Sequence, residues 1–264
     1  MVCCSKYTGK ARLDGKTAIV TGSNTGIGKF TVLDFVKRGA RVIMACRDAG
    51  RAETAAKEIR DLTQNVEGAG TVEVVSLNLG SLASVRQCAE EILNKVDNIH
   101  ILVNNADGTI KFDDMNMEKS YSATGSYNRS KLANVLFSHE LATRLQGTGV
   151  TTYSLHPGVV NTDLKRHMDD SFFRGAEFII KGFGALFFKT PEEGAQTSIY
   201  CAVDEKLADK TGLYYSDCKE KRVPAKARDP ETAKRLWEVS AEMVGLGSWD
   251  PFTAADGALP PTTA

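Results

Sequence analysis

The stretch TGSNTGIG, residues 21–28, decides how this chain folds. An apolar run, residues 17–21, leads into it, and an amphipathic stretch, residues 26–38, follows it. Glycines let the backbone approach a pyrophosphate, and a helix start supplies amides with partial positive charge. A purely structural turn is the weaker interpretation, because strand, glycine-rich loop and helix come in the order that phosphate binding requires. The predicted cofactor contacts here are Gly22, Ser23, Asn24, Thr25, Gly26, Ile27 and Gly28.

Short apolar runs alternate with amphipathic stretches on both sides of this loop. The predicted strands are residues 17–21, 41–45, 72–77, 99–103, 150–155 and 213–215, and the clearest later helices are 127–146 and 191–203. This alternation predicts an α/β fold, a doubly wound (Rossmann) parallel sheet with helices on both faces. We expect a single domain over residues 1–245 and a loose tail over residues 246–264.

The interval between the fourth strand and the long helix is short. Only 23 residues separate Val103 from Tyr127, whereas a full βαβ unit takes about 30 or more. The interval holds neither an apolar strand nor an amphipathic helix, so one helix and one central strand are predicted to be absent. Either the fourth strand then pairs directly with the strand at 150–155, or the sheet keeps exposed apolar edges.

Composition and charge narrow the classes of ligand and partner that the chain is expected to bind. Formal charge is zero, with 33 basic and 33 acidic residues, so no global field favours nucleic acid. The six cysteines and four histidines lie at no ligand spacing, which predicts neither a metal site nor a disulfide framework. The first residues, MVCCSKYTGK, lack the apolar run of a signal peptide or a spanning helix. We therefore expect a cytoplasmic chain or one at the cytosolic face of a membrane.

The residues after the second strand bear on the choice of cofactor. Dinucleotide-binding folds place there an acid that reads the ribose of NAD, or an arginine that accommodates the 2′-phosphate of NADP. Here Arg47 follows the strand, and its planar fork suits a phosphate. NADP is the favoured cofactor. NAD stays open because Asp48 comes next, and a merely solvated arginine is the third interpretation.

Tyr127 and Lys131 are four residues apart on a predicted helix, so their side chains share one face. An ammonium beside a phenol lowers its pKa from about 10, which lets the tyrosine exchange a proton with an alcohol or carbonyl. Behind a dinucleotide-binding loop, this spacing predicts that Tyr127 is the catalytic acid/base and Lys131 its partner.

Several motifs together resemble the short-chain dehydrogenase/reductase family, in particular its retinol-dehydrogenase branch. They are TGSNTGIG at 21–28, NNA at 104–106, YNRSK at 127–131, HPGVVNT at 156–162 and LYYSDC at 213–218. The resemblance implies cofactor contacts by Asn78, Asn104, Ala106, Lys131, Pro157, Gly158 and Thr162. Cys46 falls where NAD-preferring members carry an acid, and Asn78 stands where members usually carry an aspartate. The resemblance also implies a homo-oligomer.

The resemblance implies which elements are absent from the short interval between the fourth strand and the long helix. In the family it carries a helix with an active-site asparagine and a strand that ends in the substrate-binding serine. Asp107 marks the point where the two matching segments meet, and Ser120, Ser122 and Ser126 do not align with that serine. The first hypothesis is an NADP-dependent oxidoreductase. The alternative is a catalytically impaired dinucleotide-binding variant, a splice form or pseudoenzyme.

Residues 172–188, FFRGAEFIIKGFGALFF, hold six of the eleven phenylalanines. Three charges exclude a bilayer span but fit a lid over an apolar pocket or a helix on a membrane surface. Ordinary core packing is the alternative. We therefore expect a lipophilic small-molecule substrate, and the resemblance implies retinol, retinal or a similar alcohol or carbonyl.

Overall fold

A computed structural model describes residues 6–104, 123–160, 188–223, 225–247, 249 and 252, with only the backbone described at 123–128. The chain divides into two compact units. The first unit takes residues from 1–106, 156–205 and 216–219, and the second takes residues from 107–155, 206–215 and 220–264. The expectation of one domain over 1–245 with a loose tail stays a prediction.

The first unit contains a parallel sheet. Its strands are β1 (Thr17–Thr21), β2 (Arg41–Cys46), β3 (Thr71–Ser76) and β4 (Ile101–Val103), in the order β3-β2-β1-β4. Val20 of β1 pairs with Met44 of β2 on one side and with Val103 of β4 on the other. Four parallel strands in this order confirm the predicted Rossmann-type sheet.

Helices cover both faces of this sheet. They are α1 (Gly26–Lys37), α2 (Ala49–Thr63), α3 (Leu82–Leu93) and, later in the chain, α5 (Pro191–Val203). Side chains of β1 and β2 alternate between the faces: Val20 joins a core with α1, α2 and α5, and Ile19 joins a second core with α3. The two cores fix the carboxyl edge of the sheet, where the predicted cofactor contacts lie.

The strand β4 lies at the edge of its sheet in the part of the chain that the structure describes. Among the described residues it pairs only with β1, and Leu102 at its centre is 57% exposed. The strands β5 (Tyr153–His156), β6 (Leu213–Ser216) and β7 (Lys219–Glu220) form a separate three-stranded sheet. Of the two alternatives for a chain without the central strand, the described residues of the first unit agree with an exposed apolar edge.

The second unit contains α4 (Ala123–Arg144) and α6 (Pro230–Met243). Helix α6 was not predicted, although Asp229 caps it and Pro230 occupies its first turn. The two helices pack through Ala133, Leu136, Ala233 and Leu236, and Phe137 stacks on Trp237 at 5.5 Å between ring centroids. None of the described helices is both long and apolar enough to cross a membrane.

Candidate dinucleotide-binding site

The glycine-rich loop, residues 21–28, joins β1 to α1 and needs glycine for two physical reasons. Gly22 and Gly26 have φ of 58° and 57°, in the left-handed region that side chains rarely adopt. A Cβ on Gly28 would lie 2.8 Å from Ser23 Cα and 3.1 Å from the Gly22 carbonyl oxygen. The backbone is therefore folded tightly enough that no side chain fits at Gly28.

Hydrogen bonds hold the loop onto the end of the sheet. Ser23 is fully buried, and its Oγ donates to the Val20 carbonyl at 2.9 Å. The Gly22 amide donates to the Ala45 carbonyl at 3.0 Å. Ser23 Oγ also lies 3.7 Å from Cys46 Sγ, and both groups are buried. The side chain of Ser23 therefore anchors the loop. Its hydroxyl points into the protein and not toward solvent.

The first turn of α1 lacks the side-chain cap that four other described helices have. Its N-cap residue, Thr25, makes no side-chain hydrogen bond to the turn, and the first turn contains no acidic residue. In contrast, side chains of Asp48, Ser81, Thr190 and Asp229 cap α2, α3, α5 and α6. Free amides at a helix start favour an anion such as a phosphate.

The end of β2 places two charged residues differently. Arg47 is exposed, and among the described residues no ion pair engages it. Asp48 Oδ1 accepts a hydrogen bond from the Arg51 amide at 3.0 Å and so serves as the cap of α2. Cys46 is buried at the strand end, and its side chain is a thiol where an NAD site needs a carboxylate.

The predicted contacts Asn78 and Asn104 lie at the same edge of the sheet as the loop. Carboxyl ends of parallel strands share one edge; Asn104 directly follows β4, and Asn78 follows β3 after Leu77. Both are exposed. Asn78 Oδ1 accepts a hydrogen bond from the Gly80 amide at 3.1 Å, which leaves its amide NH2 group as the part that faces a ligand.

The proline-glycine loop, residues 157–160, packs beside the glycine-rich loop. Gly158 has φ of 92°. A Cβ on Gly194 of α5 would lie 2.7 Å from Val160 Cγ2 and 3.0 Å from Ile27 Cγ1, so Val160 and Ile27 both contact this glycine. Lys189 also contacts residues 158–160. Sequence reasoning singled out neither Gly194 nor Lys189; the only signal for the glycine was its place in the first turn of a predicted helix.

Tyr127 and Lys131 lie on α4 in the second unit, four positions apart. Their helical placement matches the expectation of a shared face, while the side chain of Tyr127 is outside the described residues. Ala106, Asp107, Ser120, Ser122, Thr162 and residues 172–187 also fall outside the described residues, as does the side chain of Ser126. The assignments made to these positions stay predictions.

Comparison with known proteins places the chain in a family. A family model described as short chain dehydrogenase matches residues 16–123. Human retinol dehydrogenase 12 is 40% identical, with 89% of this chain and 88% of that protein covered. Human retinol dehydrogenase 14 is 38% identical with the same coverage, and mouse retinol dehydrogenase 11 is 38% identical with 93% and 92% covered. The resemblance read from the motifs is confirmed.

The same alignments support an internal deletion. The match to human retinol dehydrogenase 14 runs over 296 residues, whereas 89% of 264 residues is only about 235. About 60 aligned positions of that relative, the difference between these two figures, thus have no counterpart in this chain. Such a length holds one helix and one strand with their connections, the elements that the sequence predicts to be absent.

Solved structures agree on the fold. The Pseudomonas aeruginosa RhlG/NADP active-site complex is 22% identical with a TM-score of 0.60, and 78% of this chain and 95% of that one are covered. L-sorbose reductase from Gluconobacter frateurii, solved with NADPH and L-sorbose, is 19% identical with a TM-score of 0.60. The match covers 81% of this chain and 99% of that one.

The comparisons do not favour a catalytically impaired variant. The chain belongs to the short-chain dehydrogenase family and is an oxidoreductase related to the retinol dehydrogenases.

Proposed function

We propose that this chain transfers a hydride between NADP(H) and a lipophilic alcohol or carbonyl compound. The observation that carries the proposal is the uncapped first turn of α1 behind a loop whose Gly28 admits no Cβ. Close backbone approach and free amides are what a pyrophosphate needs, so these residues fit a dinucleotide. Gly22, Asn24, Thr25, Gly26 and Ile27 complete the loop around the pyrophosphate.

The end of β2 supports NADP over NAD. An NAD site needs a carboxylate that is free to bind the ribose hydroxyls, but Asp48 caps α2 and the side chain of Cys46 is a buried thiol. Arg47 is exposed at this edge and suits the 2′-phosphate. The RhlG and L-sorbose reductase structures were solved with NADP and NADPH, which agrees with this choice.

Around the cofactor, Asn78 is proposed to bind the adenine, and Asn104, Ala106, Pro157, Gly158 and Thr162 to hold the ribose, nicotinamide and phosphates. The nicotinamide, when bound, supplies the hydride donor or acceptor. Tyr127 donates a proton to the carbonyl oxygen, or removes one from the alcohol, as the acid/base. Lys131 stabilises the phenolate through its positive charge and binds the nicotinamide ribose.

The substrate class is proposed from the relatives and from composition. Three similar proteins are named retinol dehydrogenases, so we infer a retinol- or retinal-like substrate. The phenylalanine-rich stretch, residues 172–188, would cover its apolar part. We further propose a homo-oligomer at the cytosolic face of a membrane or in the cytoplasm, with peripheral membrane contact through the same stretch.

The test of the cofactor choice is binding of NADPH and NADH by fluorescence to the full chain and to Arg47→Ala. A charge-assisted contact to the 2′-phosphate contributes about 1.5–3 kcal/mol, so the variant should bind NADPH about 10- to 100-fold more weakly. NADH binding should not change. Lys57→Ala is the matched control, because it removes an exposed cation from α2 and should leave both affinities unaltered.

The test of turnover is reduction of all-trans-retinal by NADPH with the same protein and with Tyr127→Phe. We expect measurable reduction by the wild type, and loss of it in the variant with NADPH binding retained. Wild-type binding without turnover of any lipophilic carbonyl would favour the impaired variant, and equal binding by Arg47→Ala would refute the assignment of NADP.

A further inference from the structure

Lys189 lies two residues before the start of α5 and is joined by its backbone to the proline-glycine loop. Its amide donates to the Val159 carbonyl at 2.8 Å, and it forms a parallel bridge with Val160. The next residue, Thr190, begins a capping box in which its side chain and that of Glu193 exchange hydrogen bonds with the backbone. The capped helix therefore fixes the backbone of Lys189, and Lys189 fixes that of the loop.

The side chain of Lys189 crosses the face of Gly158. A Cβ on Gly158 would lie 2.8 Å from both Cδ and Cε of Lys189 and 3.0 Å from Nζ, so the lysine fills the space that a side chain would take. Only 5% of the Lys189 side chain is exposed, and its Nζ lies 2.5 Å from Asp217 Oδ1. A buried ammonium needs such a carboxylate, because the loss of hydration is otherwise uncompensated.

Asp217 is presented by a strained turn. Asp217 and Cys218, which join β6 to β7, have φ of 55° and 56°, in the left-handed region that is costly for non-glycine residues. The Cys218 amide donates to Thr197 Oγ1 of α5 at 3.3 Å. The turn is thus attached to the same helix that follows Lys189 in the chain, and it holds the carboxylate in place against the ammonium.

We propose that Lys189, paired with Asp217, is a positioning residue that holds residues 157–160 in the conformation that binds the dinucleotide. This inference rests on the proposed function. The reason is the chain of contacts: Lys189 lies against Gly158, and Val160 and Ile27 both pack on Gly194 of α5. A shift of the proline-glycine loop would therefore reach the glycine-rich loop through Val160. Lys189 acts through this loop and needs no contact with the cofactor.

The two members of the pair should respond differently to removal. Lys189→Met keeps most of the stem and leaves Asp217, whose side chain is 41% exposed, to be hydrated by water. Asp217→Asn leaves a buried ammonium without its counter-charge, which is the more damaging change. Asparagine also tolerates the left-handed conformation of position 217, so the turn itself is preserved.

The experiment measures NADPH binding to the wild type, Lys189→Met, Asp217→Asn and the double variant, well below the melting temperature of each. We expect Kd to rise at least about tenfold in Lys189→Met and further in Asp217→Asn, with the double variant binding no more weakly than Asp217→Asn. Hydrogen exchange without cofactor should show faster exchange at the Lys189 amide in both single variants than in the wild type, and saturating NADPH, which selects the binding conformation of the loop, should slow it in all three proteins. Lys95→Met, which removes a cation paired with Glu91 in the same unit, is the control and should bind like the wild type.

The outcomes separate the two proposals. No binding of NADPH or NADH by the folded wild type would overturn the proposed function and this inference with it. Wild-type binding together with an unaltered Kd in Lys189→Met would overturn the positioning role alone. Should that variant not fold, the double variant, which leaves neither charge without its partner, decides by the same comparison. A Kd that follows only the loss of folded protein would assign the pair a purely structural role.

Discussion

Substitution of Gly28 by alanine tests whether close backbone packing builds the dinucleotide site. The added Cβ would lie 2.8 Å from Ser23 Cα and 3.1 Å from the Gly22 carbonyl oxygen, whereas carbon atoms pack at about 3.5–4.0 Å. Both neighbours are backbone, and Ser23 is held by its hydrogen bond to Val20. The overlap should therefore shift the loop and cost about 1–3 kcal/mol of the free energy of unfolding.

Gly50→Ala is the matched control for the stability change. Gly50 lies in the first turn of α2, and a Cβ there would meet only Asp48 Oδ1 at an ordinary 3.6 Å. Alanine favours a helix over glycine, so this variant should gain up to about 1 kcal/mol. Thermal unfolding should show Gly28→Ala below the wild type and Gly50→Ala level with it or above, at about 2–4 °C per kcal/mol. NADPH affinity should fall at least tenfold in Gly28→Ala; a wild-type melting temperature and affinity in that variant would refute the reasoning.

Three further changes probe the first unit. Arg38→Met removes hydrogen bonds to the carbonyls of Gly9 and Ala11 at 2.9 and 2.8 Å, so we expect a loss of about 1–3 kcal/mol in urea unfolding and faster proteolysis near residues 6–12. Leu102 is 57% exposed, so Leu102→Lys should change the free energy of unfolding by about 0.5 kcal/mol or less. The added charge should also reduce aggregation, measured by light scattering. Unfolding of this variant would contradict the open edge. Burial raises the pKa of Cys201 to about 12 from 9.0, so the unfolded state alone loses this proton between those pH values. Stability should be unaffected below pH 9 and fall by up to about 1.4 kcal/mol per unit above it, and Cys201→Ala should remove this part of the alkaline loss.

Prediction from sequence succeeded where local pattern and tertiary packing agree. The bounds of β1 and α5 match the predicted 17–21 and 191–203. The strand is a clear apolar run, and the helix begins with a capping residue followed by proline. Helix α6 was not predicted, although Asp229 and Pro230 carry the signals of a helix start, and Ala233 and Leu236 those of a buried stripe. Only two of its residues are buried, so the apolar signal was weak.

The pairing of the edge strand could not be read from sequence, because it depends on which other strand reaches it. The interval 104–126 gave two alternatives of similar plausibility, direct pairing or an open edge, and local propensity does not distinguish them. The contact of Lys189 with Asp217 was invisible for the same reason. The two residues are separated by 28 positions and lie on different elements, and neither has a spacing that marks a pair.

The described contacts that support the glycine-rich loop come from residues outside the interval in which the deletion is predicted. Ser23 is anchored to Val20, Gly22 to Ala45, and Ile27 to Gly194 of α5, and these residues all belong to the first unit. The predicted loss of a helix and a strand after Asn104 would therefore leave these contacts in place. Under the proposed function, cofactor binding and turnover are separable properties: binding would depend on the loop and Arg47, whereas turnover would also need Tyr127 and a substrate held in line with it. A chain that binds NADPH normally but reduces retinal slowly would locate the effect of the deletion on the substrate side.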